Sequence, residues 1–357
     1  MKVHNFSSGP AILPEEVLVE AAQAVIDYKN SGLSILTMSH RNKLFVDIIE
    51  EAQQLVKELL GLSNDHHVLF LSGGASSQFF MIPMNFLASD QFASYTDTGT
   101  WANKAIKEAK NFGEVKVLAS SKEDNYAFIP KNIDIPNDSQ YLHLTSNNTI
   151  YGTQYQVFPG TSVPIVCDMS SDIFSREIPT EKFGIIYAGA QKNMGPAGTT
   201  LVVISPEFAE KRANRTIPTM LNYQTHIAEG SMFNTPPTFP IYVSLLTMKW
   251  VKAQGGLKAM EHRNNHKANV LYNEIDRNPL FKGTVAVEDR SKMNVCFVPL
   301  NPSHEKPFFD LCTQHGMIDF KGHRSVGGFR ASNYNAMPLS SIELMVDLMQ
   351  EFEKTNG

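Results

Sequence analysis

The sequence predicts an α/β protein, in which buried strands alternate with amphipathic helices along 357 residues. Between residues 68 and 204, short apolar runs typical of strands buried on both faces recur between turn-forming residues. Several intervening segments carry apolar residues at helical spacing. Two adjacent glycines, Gly255 and Gly256, precede a second and shorter series of helices and strands. We therefore place the main domain boundary there.

The first two predicted helices have recognisable start and stop signals. One helix covers Glu15–Tyr28 and follows Pro14, which stands at a plausible first helical position. The second begins at the N-cap Ser39 and ends at Gly61. Its first turn would then hold His40 and Arg41, two cations at the positive end of the helix dipole. A bound anion would relieve that conflict, and a solvated pair of surface residues is the alternative.

The remaining elements follow from apolar periodicity and flanking turn residues. The predicted strands of the first region are Val68–Leu71, Phe92–Tyr95, Val115–Leu118, Tyr141–Leu144, Val163–Cys167, Phe183–Tyr187 and Thr199–Ile204. Helices are predicted after Ser77, from Trp101 to Lys110, and over Ile241–Ala253 and Leu257–Arg277. The last part alternates strands at Thr284–Val287, Met293–Pro299 and Met317–Phe320 with helices at Phe308–Gln314 and Leu339–Phe352.

The central stretch is Tyr187–Gly198, a glycine-rich turn between two buried strands that contains Lys192. Partial burial lowers the pKa of a lysine and makes its amine a better nucleophile. Asp168 follows the preceding strand, so parallel strands would bring both residues to the same carboxyl-terminal edge. An acid and a lysine so placed suit pyridoxal phosphate, which uses a lysine Schiff base and a protonated ring nitrogen. A solvated turn lysine and a helix-capping aspartate are the alternative interpretation.

Three other segments carry candidate ligand-binding residues. The turn Ser72–Ser77 joins a strand to a helix start, where free N–H groups and the dipole favour an anion. Trp101 lies at a similar junction and would stack on an aromatic ligand or form part of the core. The glycine-rich loop 321–332 concentrates His323, Arg324 and Arg330, and arginine pairs well with carboxylate and phosphate. Structural ion pairs are the alternative there.

Composition excludes several classes of protein. A formal charge of −5 and the lack of a basic block argue against a nucleic-acid surface. The three cysteines, Cys167, Cys296 and Cys312, lie in apolar or amphipathic runs and indicate a reducing compartment. No apolar run reads as a signal peptide or a membrane span, so we expect a cytoplasmic enzyme without membrane or nucleic-acid partners. No metal-binding motif occurs, and we expect no metal.

Five motifs together resemble the phosphoserine aminotransferases, a class V aminotransferase family of fold-type I pyridoxal phosphate enzymes. They are N-F-S-S-G-P at Asn5, S-H-R at Ser39, A-G-A-Q-K-N-M-G-P-A-G around Lys192, G-S-M-F-N-T-P-P-T at Gly230 and K-G-H-R-S-V-G-G-F-R-A-S-N-Y-N-A-M-P near the end. The resemblance implies a large domain with a mostly parallel seven-stranded sheet and a small C-terminal α/β domain. We expect an arm at 1–15, the large domain at 16–255 and the small domain at 256–357.

The resemblance also implies an activity and partners. Family members are homodimers with shared active sites, and their ping-pong reaction converts 3-phosphoserine and 2-oxoglutarate to 3-phosphohydroxypyruvate and glutamate in L-serine biosynthesis. In many bacteria the family also acts on 4-phosphohydroxythreonine in vitamin B6 biosynthesis, and the sequence leaves open whether this chain does. Cysteine desulfurases, decarboxylases or lyases of the same fold, and a non-catalytic phosphate-binding protein, are the rival hypotheses.

Roles implied by the resemblance transfer residue by residue. Lys192 would form the Schiff base and move the proton, while the cofactor would also contact Ala75, Ser76, Trp101, Thr149, Asp168 and Gln191, with Asn234 and Thr235 from the partner subunit. Arg330 would bind the substrate α-carboxylate, and Ser8, His40, Arg41, His323 and Arg324 would surround its far end. Some family members carry arginine where this chain has Ser76. Arg41, His323 and Arg324 would then supply the charge for the substrate phosphate.

Overall fold

The computed structural model describes residues 2–357, which form ten α-helices and fourteen strands. The helices are α1 (Glu15–Ile26), α2 (Lys43–Leu60), α3 (Gly74–Phe86), α4 (Thr100–Ala109), α5 (Pro206–Ala209), α6 (Tyr223–Ala228), α7 (Thr238–Ala253), α8 (Gly256–Arg277), α9 (Glu305–Gln314) and α10 (Leu339–Asn356). None of these helices of residues 2–357 combines the length and apolarity needed to cross a membrane.

The strands vary from two-residue pairs to seven-residue runs. They are β1 (His4–Asn5), β2 (His67–Leu71), β3 (Phe92–Asp97), β4 (Glu114–Ser120), β5 (Leu142–Thr145), β6 (Asn147–Asn148), β7 (Thr153–Gln154), β8 (Ile165–Asp168), β9 (Phe183–Gly189), β10 (Thr200–Ile204), β11 (Phe281–Gly283), β12 (Asn294–Pro299), β13 (Met317–Ile318) and β14 (Phe329–Ser332).

Seven strands form the central sheet in the order β2-β10-β9-β8-β5-β3-β4. Strand β10 runs antiparallel to both of its neighbours, and all other pairs are parallel. The predicted, mostly parallel sheet is therefore confirmed. Because β8 and β9 are parallel, Asp168 at the end of β8 and Lys192 just after β9 lie at the same edge.

The central sheet is covered by helices on both faces. Along β9, Ile185 and Tyr187 point into a core with α3, α4 and α5, whereas Ile186 and Ala188 point into a core with α1, α2 and α7. Alternate residues of one strand thus contact opposite cores, as strand geometry requires. This two-sided burial explains why these strands are continuous apolar runs in the sequence.

A third core lies around the three-stranded sheet β11-β12-β14 and helices α8, α9 and α10. The N-terminal arm joins it, because β1 pairs in parallel with β13 and Phe6 is fully buried there. The thiols of Cys167, Cys296 and Cys312 are buried, as predicted.

The structure corrects the start of the second helix. Asn42, not Ser39, caps α2, and its side-chain oxygen accepts a hydrogen bond from the Leu44 N–H at 2.9 Å. His40 and Arg41 consequently lie in the turn before α2 and not in its first turn. Both Ser39 and Asn42 are good capping residues, and the sequence pattern did not distinguish them.

Two strands of the C-terminal part were also predicted wrongly. The strand expected at Thr284–Val287 is β11 at Phe281–Gly283, and Val287 lies in a short 3₁₀ turn with an exposed side chain. Residues Phe329–Ser332, expected in a glycine-rich loop, form β14. Both strands depend on pairing with β12, a contact between distant residues that local periodicity does not report.

Candidate active site

The side chain of Lys192 ends between two hydroxyl groups. Its Nζ donates hydrogen bonds to Thr149 Oγ1 at 2.8 Å and to Ser171 Oγ at 3.2 Å. The two hydroxyl oxygens are themselves 2.7 Å apart and hydrogen-bonded. Two hydroxyl groups from two separate turns therefore hold the amine in one place.

Burial lowers the pKa of Lys192 to about 8, and the positive charge of Arg330 acts in the same direction. The carboxylates of Asp168 and Asp172 oppose this shift. The net effect is a larger fraction of neutral, nucleophilic amine at physiological pH than an ordinary lysine has. This agrees with the expectation drawn from the two apolar strands around the turn.

The N-terminal arm lies directly against the lysine turn. The Ala11 N–H donates a hydrogen bond to the carbonyl oxygen of Gln191 at 2.9 Å. Gly9 has a φ of +141°, and a Cβ at this position would come within 3.3 Å of Lys192 Cγ. A glycine is thus required both by the backbone conformation and by the close approach of the lysine stem.

Asp168 is held in a fixed orientation at the end of β8. Its Oδ1 accepts hydrogen bonds from the N–H and the hydroxyl of Ser170, at 2.9 and 2.7 Å. The Ser170 oxygen also accepts a bond from the Gly189 N–H of the neighbouring strand at 3.0 Å. Among residues 2–357, no donor is bonded to Asp168 Oδ2, so this oxygen can accept a hydrogen bond from a ligand.

Strand β2 leads through a glycine turn into α3, as predicted. Gly73 and Gly74 have φ values of +100° and +68°, and a Cβ on Gly73 would overlap the Ser77 hydroxyl. No side chain caps α3, so the N–H groups of its first turn, including those of Ala75 and Ser76, have no side-chain acceptor in residues 2–357. This geometry suits an anion such as a phosphate.

Trp101 lies in the first turn of α4 with its ring near the lysine. Lys192 Nζ is 5.7 Å from the ring centroid, and Lys104 Nζ is 4.4 Å from it. The indole Nε1–H is buried and has no hydrogen-bond partner in residues 2–357. The ring therefore borders the same space as the Lys192 amine.

Arg330 links the lysine region to the N-terminal arm. Its guanidinium donates to the Thr149 carbonyl oxygen at 3.2 Å and to Ser8 Oγ at 2.7 Å. Because Arg330 lies on β14 and not in a flexible loop, its position is fixed by pairing with Cys296 on β12. The buried Nε has no partner in the described chain, which leaves capacity for a ligand anion.

His323 and Arg324 lie close to this arginine. The positive charges of Arg330 and Arg324, together with burial as the largest cause, lower the pKa of His323. The His323 ring nitrogen Nδ1 is 2.7 Å from the Ser325 hydroxyl. Arg324 and Arg330 carry the positive charge of this region, and the His323 ring lies beside them. That these residues bind substrate stays a prediction.

The structure does not bring every candidate to the lysine. Asn234 and Thr235 are exposed, and Asn234 lines a small cavity with Ser72 and Ser77. No hydrogen bond or ion pair within residues 2–357 joins the side chains of His40 or Arg41 to the residues around Lys192. Gln191 flanks the lysine and is half-buried.

Sequence reasoning missed the residues that position the amine and the acid. Ser170 and Ser171 lie two and three residues after Asp168 in the run D-M-S-S-D, but the sequence analysis assigns them no role. Asp172 is buried in a network with Ser146, Gln154 and Arg176, and burial raises its pKa. A polar run after a buried strand was the available signal.

The arrangement matches the needs of one kind of cofactor. A nucleophilic amine can bond to an aldehyde, an oriented carboxylate can bind a ring nitrogen, and a helix start can hold a phosphate. An aromatic ring beside the amine can stack on the cofactor ring.

Comparison with known proteins agrees with this geometry. Residues 3–345 match the family model for class-V aminotransferases. The chain is 58% identical to the phosphoserine aminotransferase of Flavobacterium johnsoniae over 354 residues, which cover 99% of each protein.

Solved structures give the same result. The phosphoserine aminotransferase from Bacillus circulans subsp. alkalophilus superposes with a TM-score of 0.96 at 45% identity, covering 100% of this chain and 99% of the other. A phosphoserine aminotransferase from Trichomonas vaginalis, described as PLP-bound, has a TM-score of 0.93 at 36% identity and covers 98% of this chain and 100% of its own.

Proposed function

Because the chain belongs to the class-V aminotransferase family, we propose that it is a phosphoserine aminotransferase of L-serine biosynthesis. It transfers an amino group between 3-phosphoserine and 2-oxoglutarate to give 3-phosphohydroxypyruvate and glutamate. The likeness to proteins of that name extends over 99% of the chain. The observation that carries the proposal is the Lys192 amine, held between Thr149 and Ser171 with its pKa lowered to about 8.

Pyridoxal 5′-phosphate is the cofactor that these residues would hold. Ala75, Ser76 and Gln191 would bind its phosphate, Asp168 its ring nitrogen, Thr149 its 3-oxygen, and Trp101 would stack on its ring. The unpaired Asp168 Oδ2 and the uncapped start of α3 support this fit. When bound, the cofactor supplies an electron sink that makes the substrate Cα acidic.

Lys192 is the general base in the proposed mechanism. Once its amine is free, Nζ takes the proton from the substrate Cα, which an amine with a pKa of about 8 does well near neutral pH. Thr149 and Ser171 hold Nζ through hydrogen bonds while it carries the proton. Lys192 would deliver that proton to the cofactor within the same half-reaction and would reverse the transfer in the second one. Ping-pong kinetics are expected because the first keto acid leaves before the second substrate binds.

Arg330 binds the α-carboxylate common to both amino acids. The hydrogen bond that Arg330 Nη2 donates to Ser8 Oγ fixes one side of the guanidinium, and its Nε has no hydrogen-bond partner in residues 2–357. His323 and Arg324 form the nearby positive region that reads either the phosphate of phosphoserine or the side-chain carboxylate of glutamate. Ser8, His40 and Arg41 complete this end of the pocket.

A homodimer with shared active sites accounts for the residues that lie outside the lysine region. Asn234 and Thr235 are exposed in the single chain, and we propose that they reach the cofactor phosphate of the partner subunit. Within each subunit we propose an arm at 1–15, a large domain at 16–255 and a small domain at 256–357. The separate hydrophobic core around α8, α9 and α10 supports that division.

The same site would accept 4-phosphohydroxythreonine, which also carries an amino acid group and a phosphate. We therefore include a role in vitamin B6 biosynthesis in the proposal. A cytoplasmic location stays a prediction from the sequence.

The rival functions of the fold fit less well. A cysteine desulfurase needs an accessible thiol of low pKa, and all three thiols here are buried. Burial raises the pKa of Cys296 to about 12 and those of Cys167 and Cys312 as well. Decarboxylases and lyases are separated from the proposed activity by their products.

A product assay tests the proposal. The purified protein, loaded with pyridoxal phosphate, is mixed with phosphoserine and 2-oxoglutarate, and glutamate formation is measured. Stoichiometric formation of glutamate and phosphohydroxypyruvate supports the proposal. Release of carbon dioxide or free phosphate without glutamate would contradict it.

A further inference from the structure

Lys267 is a fully buried lysine on α8, with no exposed surface. Its Nζ donates three hydrogen bonds to carbonyl oxygens, those of Asn333 at 3.4 Å, Tyr334 at 2.8 Å and Met337 at 3.2 Å. Among residues 2–357, no carboxylate contributes to its environment, and burial holds the pKa of Lys267 well below its usual value. Each of the three donors of its amino group is therefore matched by one acceptor from a single segment.

Burying an amino group costs free energy, and here three hydrogen bonds to carbonyl oxygens offset that cost. The hydrogen bonds of Lys267 all reach residues 333–337, which we call the clamp segment. This segment connects β14, which carries Arg330, to α10. The three hydrogen bonds of Lys267 thus hold one loop in place.

The clamp segment reaches the substrate-binding arginine through the N-terminal arm. The Tyr334 hydroxyl donates to the carbonyl oxygen of Ser8 at 2.9 Å. The Ser8 hydroxyl in turn accepts the 2.7 Å bond from Arg330 Nη2. Moving Tyr334 would therefore release Ser8 and leave one side of the guanidinium unsupported.

A second path leads from the clamp segment to the lysine turn. The Asn335 N–H donates to Asn193 Oδ1 at 2.9 Å, and Asn193 is the residue after Lys192. Asn264, on the same helix as Lys267, donates to Asn335 Oδ1 at 2.8 Å. Helix α8 thus holds the clamp segment at two points, through the Lys267 amine and the Asn264 amide.

We propose that Lys267 is a positioning residue of the active site, which holds the clamp segment so that Tyr334 and Asn335 keep Arg330 and Lys192 in their relative places. The inference rests on the proposed function for its kinetic consequence. Its structural consequence, a fixed N-terminal arm, does not depend on that function. The two consequences are measured separately.

The variant Lys267→Met removes the three donors and keeps a long apolar side chain. Tyr334→Phe removes the bond to the Ser8 carbonyl oxygen, together with the weaker one that the hydroxyl accepts from Asn294 Nδ2, and leaves Lys267 in place. Leu271→Ala is the control for lost stability, because Leu271 is equally buried on α8 but makes no side-chain hydrogen bond to the clamp segment. It destabilises the same helix and leaves the hydrogen bonds of Lys267 and Tyr334 in place.

Hydrogen exchange followed by mass spectrometry measures the arm in the intact protein. We expect the peptide that contains Ala11, whose N–H is bonded to Gln191, to exchange faster in Lys267→Met and Tyr334→Phe than in the wild type. Leu271→Ala lowers the melting temperature but leaves that exchange rate unchanged. Equal acceleration in Leu271→Ala would overturn the proposal, because a general loss of stability would then explain the effect.

Kinetics measure the link to Arg330. We expect KM for phosphoserine to rise about tenfold in Lys267→Met and Tyr334→Phe, as for the loss of one hydrogen bond. The double variant should be no worse than the more impaired single variant, since both act on one path. A KM within twofold of the wild-type value, together with an unchanged exchange rate of the arm, overturns the proposal. If Lys267→Met does not fold, Tyr334→Phe is judged by the same two criteria. If the wild-type protein shows no transamination, only the proposed function is contradicted. The exchange experiment still tests whether Lys267 holds the clamp segment.

Discussion

Lys192 Nζ lies 2.8 Å from Thr149 Oγ1 and donates a hydrogen bond to it. The two residues are 43 positions apart in the sequence; Lys192 follows β9 of the central sheet, and Thr149 follows β6 of the two-stranded sheet β6-β7. Their meeting places a partly buried primary amine beside the peptide group that also binds Arg330 through the Thr149 carbonyl. The amine that moves the proton and the cation that binds the carboxylate are therefore positioned by the same turn.

Replacing Lys192 with alanine should abolish turnover and leave the fold intact. The change removes the only group proposed to take the proton from the substrate Cα, so kcat should fall by at least about 10³-fold. Steady-state kinetics with phosphoserine and circular dichroism measure the two effects. Lys211→Ala, at an exposed lysine, is the control and should behave like the wild type. Retained activity in the Lys192 variant would remove this residue from its role.

The titration of Lys192 can be measured without cofactor. Competitive acetylation of the apoprotein, read by mass spectrometry across a pH series, should give a midpoint near pH 8 for Lys192. Exposed lysines should label with midpoints near about 10.4. A midpoint for Lys192 equal to that of the exposed lysines would contradict the burial argument.

The same pKa shift has a consequence for stability. In the folded protein Lys192 releases its proton near pH 8, whereas in the unfolded chain it does so near 10.5. Between these values the unfolded state binds more protons, so the contribution of Lys192 to the free energy of unfolding rises with pH. Comparing the wild type with Lys192→Met between pH 7.5 and about 10 in denaturant titrations isolates that slope.

The hydroxyl of Ser171 should tune this titration. It accepts a hydrogen bond from the Lys192 ammonium group, so Ser171→Ala should lower the midpoint of acetylation further. Ser244→Ala, at a buried serine on α7, should leave the midpoint unchanged. An unchanged midpoint in Ser171→Ala would show that Thr149 alone holds the amine.

Replacing Arg330 with alanine should weaken the binding of substrates, because their α-carboxylate loses its partner. Loss of a charged hydrogen bond costs about 1.5–3 kcal/mol, which raises KM for phosphoserine and glutamate by roughly 10- to 150-fold. Both substrates should be affected alike, because both carry the α-carboxylate. Arg212→Ala, at an exposed arginine, is the control. If KM rises for only one substrate, Arg330 binds the side chain of that substrate and not the α-carboxylate.

Arg324 should distinguish the phosphate from the α-carboxylate. The variant Arg324→Ala should raise KM for phosphoserine while cofactor binding, followed by absorbance, stays at the wild-type level. Mixing this variant with Lys192→Ala should restore part of the activity if each site draws residues from both subunits. No recovery in verified mixed dimers would count against shared sites.

Sequence reasoning predicted the sheet edge that carries Asp168 and Lys192, because strands buried on both faces appear as apolar runs. It placed Arg330 in a loop, because F-R-A-S follows two glycines and becomes a strand only by pairing with the distant β12. The roles of Ser171 and Lys267 depend on contacts between distant residues. No local pattern encodes them, and Lys267 in particular looks like any surface lysine of an amphipathic helix.

The central claim is that Lys192 binds pyridoxal phosphate and that phosphoserine donates its amino group there. An absorbance spectrum of the purified protein, recorded before and after adding 3-phosphoserine, tests it most directly. We predict a visible band from the lysine-bound cofactor that is lost when phosphoserine is added and returns with 2-oxoglutarate. A protein that stays colourless after added pyridoxal phosphate would contradict the assignment of Lys192, and a band unchanged by phosphoserine would contradict the assigned substrate.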